Sequence, residues 1–409
     1  MVGRALAPVD EARRALGVPE MARGLRMRAI DVHLAARGIA KADADVAEWV
    51  RLHHRISEPS GYFFADNVIS NESDYLAPSP ALAALPRDLA YLGVGPEQTF
   101  SYLGIARSSR AFVVDVRRDN ARLHFLYRAL FEEARSRSEW LALLLGRPHV
   151  ELTDPGDEAS IDDVIAHATR ARPSEESFRA AEERVASRLD RLAGLFLPGD
   201  RARVRRVHRW FFEHQMDLTF QVRGPRLRVY PTLRSQLLVQ VPSGEPMSFL
   251  ASEASFRHVQ AMQRGSRLVP VVGDLGGDFA IEAIGEELRN KGESIGALYV
   301  SNVEQYLFER GLFARWVDNL RSLPCHPEAV ILRAYPEAED GRAAPEAPRS
   351  LAGQIRRSAG IAARALFTPA GKQVHVMPTI AHRLRPFLAQ AERYRTFREL
   401  VTDDDLQWR

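Results

Sequence analysis

The sequence predicts an α/β protein, a mostly parallel sheet with helices on both faces, plus a large mainly helical insertion. Three observations predict it. Short apolar runs alternate with amphipathic helical stretches between Leu89 and Pro336, the rhythm of parallel strands joined by crossover helices. Glycines, acids or amides stand directly after those runs, where ligands sit in such sheets. Between the second and third strands lies a stretch of about 150 residues with its own helical patterns, too long for a loop.

The elements follow in order. Residues 1 to about 56 read as helical, with Val46, Trp49, Val50 and Ile56 near one face. "SEPSGYFFADNVISNESDYLAPSP" is loop-like but rich in aromatic residues. A first strand begins near Leu89, "YLGVGPEQ" turns into a helix, and "FVVDV" is the second strand. "NARLHFLYRALFEEARSRSEWLALLLG" reads as one long amphipathic helix. Charge-rich helices continue to about Phe212, and "LTFQVRGPRLRVYPTL" and "SQLLVQVPSG" read as short strands. Helix "LASEASFRHVQAMQRG", strand "SRLVPVV", helix "AIEAIGEELRNKG", strand "SIGALYV", helix "RGLFARWVDNLRSLP" and strand "EAVILRAYP" complete the alternation. "EAEDGRAAPEAPRS" is a linker composition, and "PFLAQAERYRTFRELV" is a last helix. The expected divisions are 1–80, an N-terminal helical region with a lid-like loop; 81–150, the first half of the sheet domain; 151–265, the insertion; 266–336, the second half; 337–351, a linker; and 352–409, a C-terminal extension.

Composition narrows the function. At 409 residues and 45% hydrophobic the chain can bury a large core. Net charge is only +3, and lysine occurs only at 41, 291 and 372. The arginine excess therefore reads as codon usage rather than a basic surface. The most basic run, Arg201–Arg209, sits on a helix with an apolar face, which argues for a solvated surface and against a nucleic-acid partner. A single cysteine, Cys325, excludes a disulfide framework and fits a reducing cytoplasm. The charged N-terminus lacks a signal-peptide core, and no apolar run is long enough to span a membrane. No HExxH motif is present, His53 and His54 lie on different helix faces, and His208 and His214 do not share one; the expected metal complement is none.

Candidate site residues fall after the strands. Gly93, Gly95 and Glu97 follow the first, Asp115 ends the second, Asp274 follows the third, and Asn302 and Glu304 follow the fourth. Glycine lets a backbone approach a ligand closely, a helix starting near Gln98 offers free N–H groups, and an acid at the end of strand two can accept both ribose hydroxyls. A tight strand–helix turn with a solvated Asp has the same residue pattern, as do capping roles for Asp274 and Asn302. A nicotinamide site wants a third glycine where Gln98 stands. Upstream, "SNESDY" with Asn71, Glu72 and Tyr75 reads as a lid over a ligand or as a packed loop.

On these residues the chain resembles class I S-adenosylmethionine-dependent transferases, whose fold is the methyltransferase-like Rossmann fold. "YLGVGPEQ" stands at the glycine loop, "FVVDVRRDN" at the ribose-binding acid, "VVGD" at strand three and "LYVSN" at strand four. Tyr91 replaces the usual acid before the first glycine, Glu97 replaces the third glycine, and the insertion is foreign to the ordinary layout. A narrower similarity is to betaine-lipid aminocarboxypropyltransferases, carried by the helix after Asp115 and by "SNVEQYL" with the helix and strand that follow. The chain is also similar to an uncharacterised bacterial family marked by "NVISNES", "YLGVGPEQTF" and "SNVEQYL". The resemblance implies S-adenosylmethionine held by Gly93, Gly95, Glu97 and Asp115, with Asp274 near adenine and Asn302 near the sulfonium. It implies methyl or 3-amino-3-carboxypropyl transfer to a small-molecule or lipid-like acceptor, with Glu304 and Tyr75 as candidate catalytic groups. The competing expectations are a degenerate cofactor-binding protein with a regulatory or scaffolding role and, more weakly, an arginine-rich nucleic-acid binder.

Overall fold

The computed structural model describes residues 44–222, 228–335 and 373–408. Expected helix within 1–43 and the 337–351 linker lie outside them. A six-stranded sheet organises the chain: β1 Ala90–Gly93, β2 Arg110–Asp115, β3 Leu268–Val272, β4 Ile295–Ser301, β5 Cys325–Ala334 and β6 Thr379–Arg383. Its spatial order is β3-β2-β1-β4-β5-β6. β1 to β5 pair in parallel, with Gly93 opposite Val113 and Asp115 opposite Val272. β6 runs antiparallel on β5, Ala381 facing Leu332. The chain runs outward one way from β1 through β3 and the other way from β4, so order reverses between β1 and β4.

Burial on both faces explains the composition of the strands. Val113, Val114, Val269, Val271, Leu298 and Ile331 all have 0–1% exposure, and parallel sheets of this kind hold apolar side chains on each side. Among the described residues the helices of seven residues or more are α1 Ala44–Ile56, α2 Gln98–Ala106, α3 Arg118–Glu133, α4 Arg137–Leu144, α5 Ile161–Thr169, α6 Glu175–Asp190, α7 Asp200–His214, α8 Glu253–Arg264, α9 Ala280–Lys291, α10 Val303–Glu309, α11 Phe313–Ser322 and α12 Leu384–Gln390. β3 is an edge strand, and the α1 segment satisfies its outer backbone. Trp49 donates to Leu268 O at 2.8 Å, His53 Nδ1 meets Pro270 O at 2.6 Å, and Glu58 N donates to Val272 O at 2.7 Å. An exposed edge would otherwise invite pairing with another chain.

Three elements differ from expectation. The single helix expected after Asp115 is two, α3 and α4. The chain turns extended at Ala134, and Ser136 caps α4 by accepting from Glu139 N. "SQLLVQ" is not a strand: Leu233–Leu237 is a short helix, because Thr232 and Ser235 form a reciprocal cap. The C-terminal helix is interrupted, as α12 ends at Gln390 and Phe397–Val401 resumes only after a turn. Within the insertion α6 and α7 pack against α3 and α5 packs against α4, and ion pairs hold much of this layer. Asp200, wholly buried, accepts from Arg118 and Arg122 at 2.6–2.9 Å. No helix among the described residues is long and apolar enough to cross a membrane.

Candidate functional site

The β1 turn is shaped by two glycines. Gly95 has φ +92°, and a Cβ there would strike the Gln98 amide. A Cβ at Gly93 would lie 2.5 Å from the Tyr91 ring. The Gly95 carbonyl points to α3, accepting from Asn120 Nδ2 at 3.2 Å and lying 3.0 Å from His124 Nε2. Burial pushes His124 down to about 4, so the ring is neutral at physiological pH and can donate through Nε2. Glu97 precedes α2 and is buried; its Oε1 accepts from Ser70 N at 3.2 Å. Burial pushes its carboxyl up to about 7.

Across the point where strand order reverses lies a second buried carboxyl, Glu72. Its Oε1 accepts from the Tyr299 hydroxyl and from Ser301 Oγ at 2.7 Å, and Oε2 accepts from Thr379 Oγ1 at 3.3 Å. Burial, partly offset by these donors, raises Glu72 to about 7. Gln98 Nε2 donates to the Tyr299 hydroxyl at 3.3 Å, joining the two carboxyl environments. Ser301, which closes β4, has φ +49°, a left-handed conformation that non-glycine residues adopt at some cost.

"SNESDY" is packed into this region rather than standing over it. Gln236 Nε2 donates to Ser70 O and Glu72 O at 3.2 and 2.8 Å. The Tyr75 hydroxyl donates to Gln236 O at 3.0 Å and lies 3.2 Å from Ser101 Oγ. Burial raises the Tyr75 phenol well above its ordinary range, so it does not ionise near neutrality.

The remaining candidates also occupy strand ends, with partners of their own. Asp115 accepts from Arg117 N at 2.7 Å and Arg117 Nη2 at 3.3 Å. Burial nevertheless raises its pKa. Asp274 accepts from Gly276 N at 3.0 Å and Arg310 Nη1 at 3.1 Å, closing the glycine-rich turn after β3. Asn302 precedes α10, with its amide 3.4 Å from Gln305 Oε1. Glu304 is turned inward and fully buried. It accepts from Trp316 Nε1 at 2.9 Å and from Arg333 at 2.5 and 3.0 Å, Arg333 being equally buried. That arrangement ties α10 to β5 and engages both carboxylate oxygens of Glu304, the residue expected as a base, with Trp316 and Arg333.

Sequence reasoning did not single out the cleft beside this cluster. A cavity of about 270 Å³ opens past the end of β2, lined among others by Asn67, Arg117, Asn120, Arg203, Arg206 and Trp210. Arg201, Arg205 and Arg209 of the basic run pair with Asp190, Glu182 and Glu175 on α6. Arg203 and Arg206 instead line the cavity. Around the β1 turn and the adjoining cleft, buried atoms without a hydrogen-bond partner within the protein include Asn67 Oδ1, Glu97 Oε2, Gln98 Oε1 and Asn120 Oδ1, with Arg117 Nε and His124 Nδ1 beside them. The signal for Asn120 was its place in the first turn of the helix after strand two; Arg203 and Arg206 show no signal until α6 claims their neighbours.

A family model described as "Domain of unknown function (DUF7790)" matches residues 67–196 and 213–352. The chain belongs to this family. The matched segments contain the β1 turn, the end of β2, Glu72 and Tyr299, while Arg203, Arg206 and Trp210 fall between them. No curated protein matches the chain.

Proposed function

We propose that the chain is a transferase of the methyltransferase-like Rossmann class that takes S-adenosylmethionine and alkylates a small-molecule or lipid-like acceptor bearing an anionic group. The observation that carries the reading is the group of unpartnered buried polar atoms around the β1 turn and its cleft, the oxygens of Glu97, Gln98 and Asn120 foremost. Buried polar groups without partners cost on the order of 1–3 kcal/mol each, so an occupant that brings donors or positive charge would satisfy these oxygens. An α-ammonium beside a sulfonium brings both. The strand order is consistent, since ligands of open α/β sheets sit outside the carboxyl ends of strands where the order reverses.

When bound, the cofactor supplies an electrophilic carbon on a good leaving group, and the chain's task becomes positioning. Glu97 and Glu72, each raised to about 7 by burial, suit proton exchange near neutral pH. Glu97 is the better placed of the two. One of its oxygens has no donor, whereas both oxygens of Glu72 accept from Tyr299, Ser301 or Thr379. Arg203 and Arg206, beside Trp210 in the cleft, suit the anionic end of the acceptor. A reducing cytoplasm as the site of action rests on the single cysteine.

A second reading rests on Asp115, whose two oxygens accept from Arg117 where a ribose diol would be received. In it the chain binds an adenosine ligand in a regulatory or scaffolding role without turnover. The test is thermal unfolding with S-adenosylmethionine and S-adenosylhomocysteine, since a ligand of the native state stabilises it. If neither shifts the transition at millimolar concentration, the proposal fails. A shift lost in Asp115→Ala places the ligand here. S-adenosylhomocysteine released with acceptor marks methyl transfer, methylthioadenosine marks aminocarboxypropyl transfer, and binding without either product selects the second reading.

A further inference from the structure

Where α4 leads into the insertion lies a side-chain cluster that the proposed chemistry does not use. His149 follows α4, Asp154 follows the helical turn Glu151–Thr153, and His167 lies in the last turn of α5. One ligand atom from each lies within 4.8 Å of the other two. We propose that His149, Asp154 and His167 bind a first-row divalent transition metal, zinc fitting the donor set best, through two imidazoles and one carboxylate.

The geometry is close to what such an ion needs. Bonds of about 2.0–2.2 Å at tetrahedral angles hold neighbouring ligand atoms about 3.3 Å apart. His149 Nε2 already lies 3.1 Å from Asp154 Oδ2. The His149 and His167 rings meet edge to face with centroids 5.2 Å apart, so small side-chain rotations bring the third ligand in. The hydroxyls of Ser136 and Ser138 each donate to Asp154 Oδ2 at 2.5 Å. The two serines supply the outer hydrogen bonds that usually orient a ligating carboxylate.

The ion would leave a coordination position open. His167 also lines a cavity of about 370 Å³ together with Thr153, Asp163 and Arg170, and three protein ligands with an open position are the pattern of reactive rather than purely structural zinc. Thr153 Oγ1, 3.1 Å from His167 Nε2, stands where a fourth ligand or a bound water's partner is needed. The expectation of no metal looked for local motifs. Spacings of five and thirteen residues match none, and only the fold of α4 and α5 assembles this set.

The test uses the full chain stripped with chelator. Zinc is expected to raise the melting temperature where magnesium does not, and cobalt(II) to give visible absorption bands that zinc abolishes. The double substitution His149→Gln and His167→Gln should lose both signals while its metal-free melting temperature stays near that of the parent. Should that variant fail to fold, X-ray absorption on the zinc-loaded parent must show two imidazoles in the first shell. No melting shift with zinc, cobalt bands that survive the double substitution, or a shell without two imidazoles would overturn the proposal. The three side chains would then be a hydrogen-bonded loop closure.

Discussion

Substituting Glu97 by Gln tests the electrostatics of the β1 turn without altering its shape. Gln keeps an oxygen for Ser70 N and puts an amide where Glu97 Oε2 lacks a donor. Burial raises the native carboxyl from 4.5 to about 7, whereas the unfolded chain titrates near the ordinary value. Between those pH values the native state holds a proton the unfolded state has released, so stability falls as pH rises through this window. Below it no penalty applies; above it the penalty is complete and amounts to about 3 kcal/mol. Gln is neutral throughout. In equilibrium urea unfolding, Glu97→Gln should match the parent at pH 4.5 and exceed it by about 3 kcal/mol at pH 8.5. A variant whose difference from the parent is the same at both pH values would refute the reasoning, because it would mean that Glu97 is ionised and solvated in the native state.

Two further outcomes follow from buried ion pairs. Arg333→Met strands Glu304 as an uncompensated buried charge and should cost about 3–5 kcal/mol in denaturant unfolding, with much of the loss recovered when Glu304→Gln is added. Asp200→Ala removes the carboxylate that holds Arg118 and Arg122; a loss of similar size, about 3–5 kcal/mol, should appear together with faster amide exchange in 197–214 than in the sheet strands.

The strands were legible because parallel strands buried on both faces leave apolar runs with glycine or acid at their ends. That regularity placed Gly93, Gly95, Asp115, Asp274 and Asn302 at the carboxyl ends of strands from sequence alone. What the sequence hid was partnership. Glu304 looks like a base after strand four until Arg333, 29 residues on, closes against it. Asp115 looks free although Arg117, two residues later, already occupies it. The split of the long helix at Ser136 did carry a sign, a serine three residues before Glu139, as at a capped helix start. β6 carried little, since "TIAHR" becomes a strand only by pairing with β5 across a long separation in sequence.

α3 connects the insertion to the β1 turn through its first two turns. Arg118 and Arg122 are four residues apart and hold Asp200. Asn120 and His124, also four apart, contact the Gly95 carbonyl. Residues 118 and 120 are separated by about 200° around a helix, so the two pairs use opposite faces. The start of α3 is thus clamped between a buried carboxylate of the insertion and the backbone of the glycine turn. α7, which begins at Asp200, also carries Arg203 and Arg206 into the cleft. One helix therefore sets the position of the turn proposed to receive the cofactor and anchors the wall proposed to receive the acceptor. An insertion fixed in this way is part of the site's architecture, and loosening Asp200 should disturb both halves of it together.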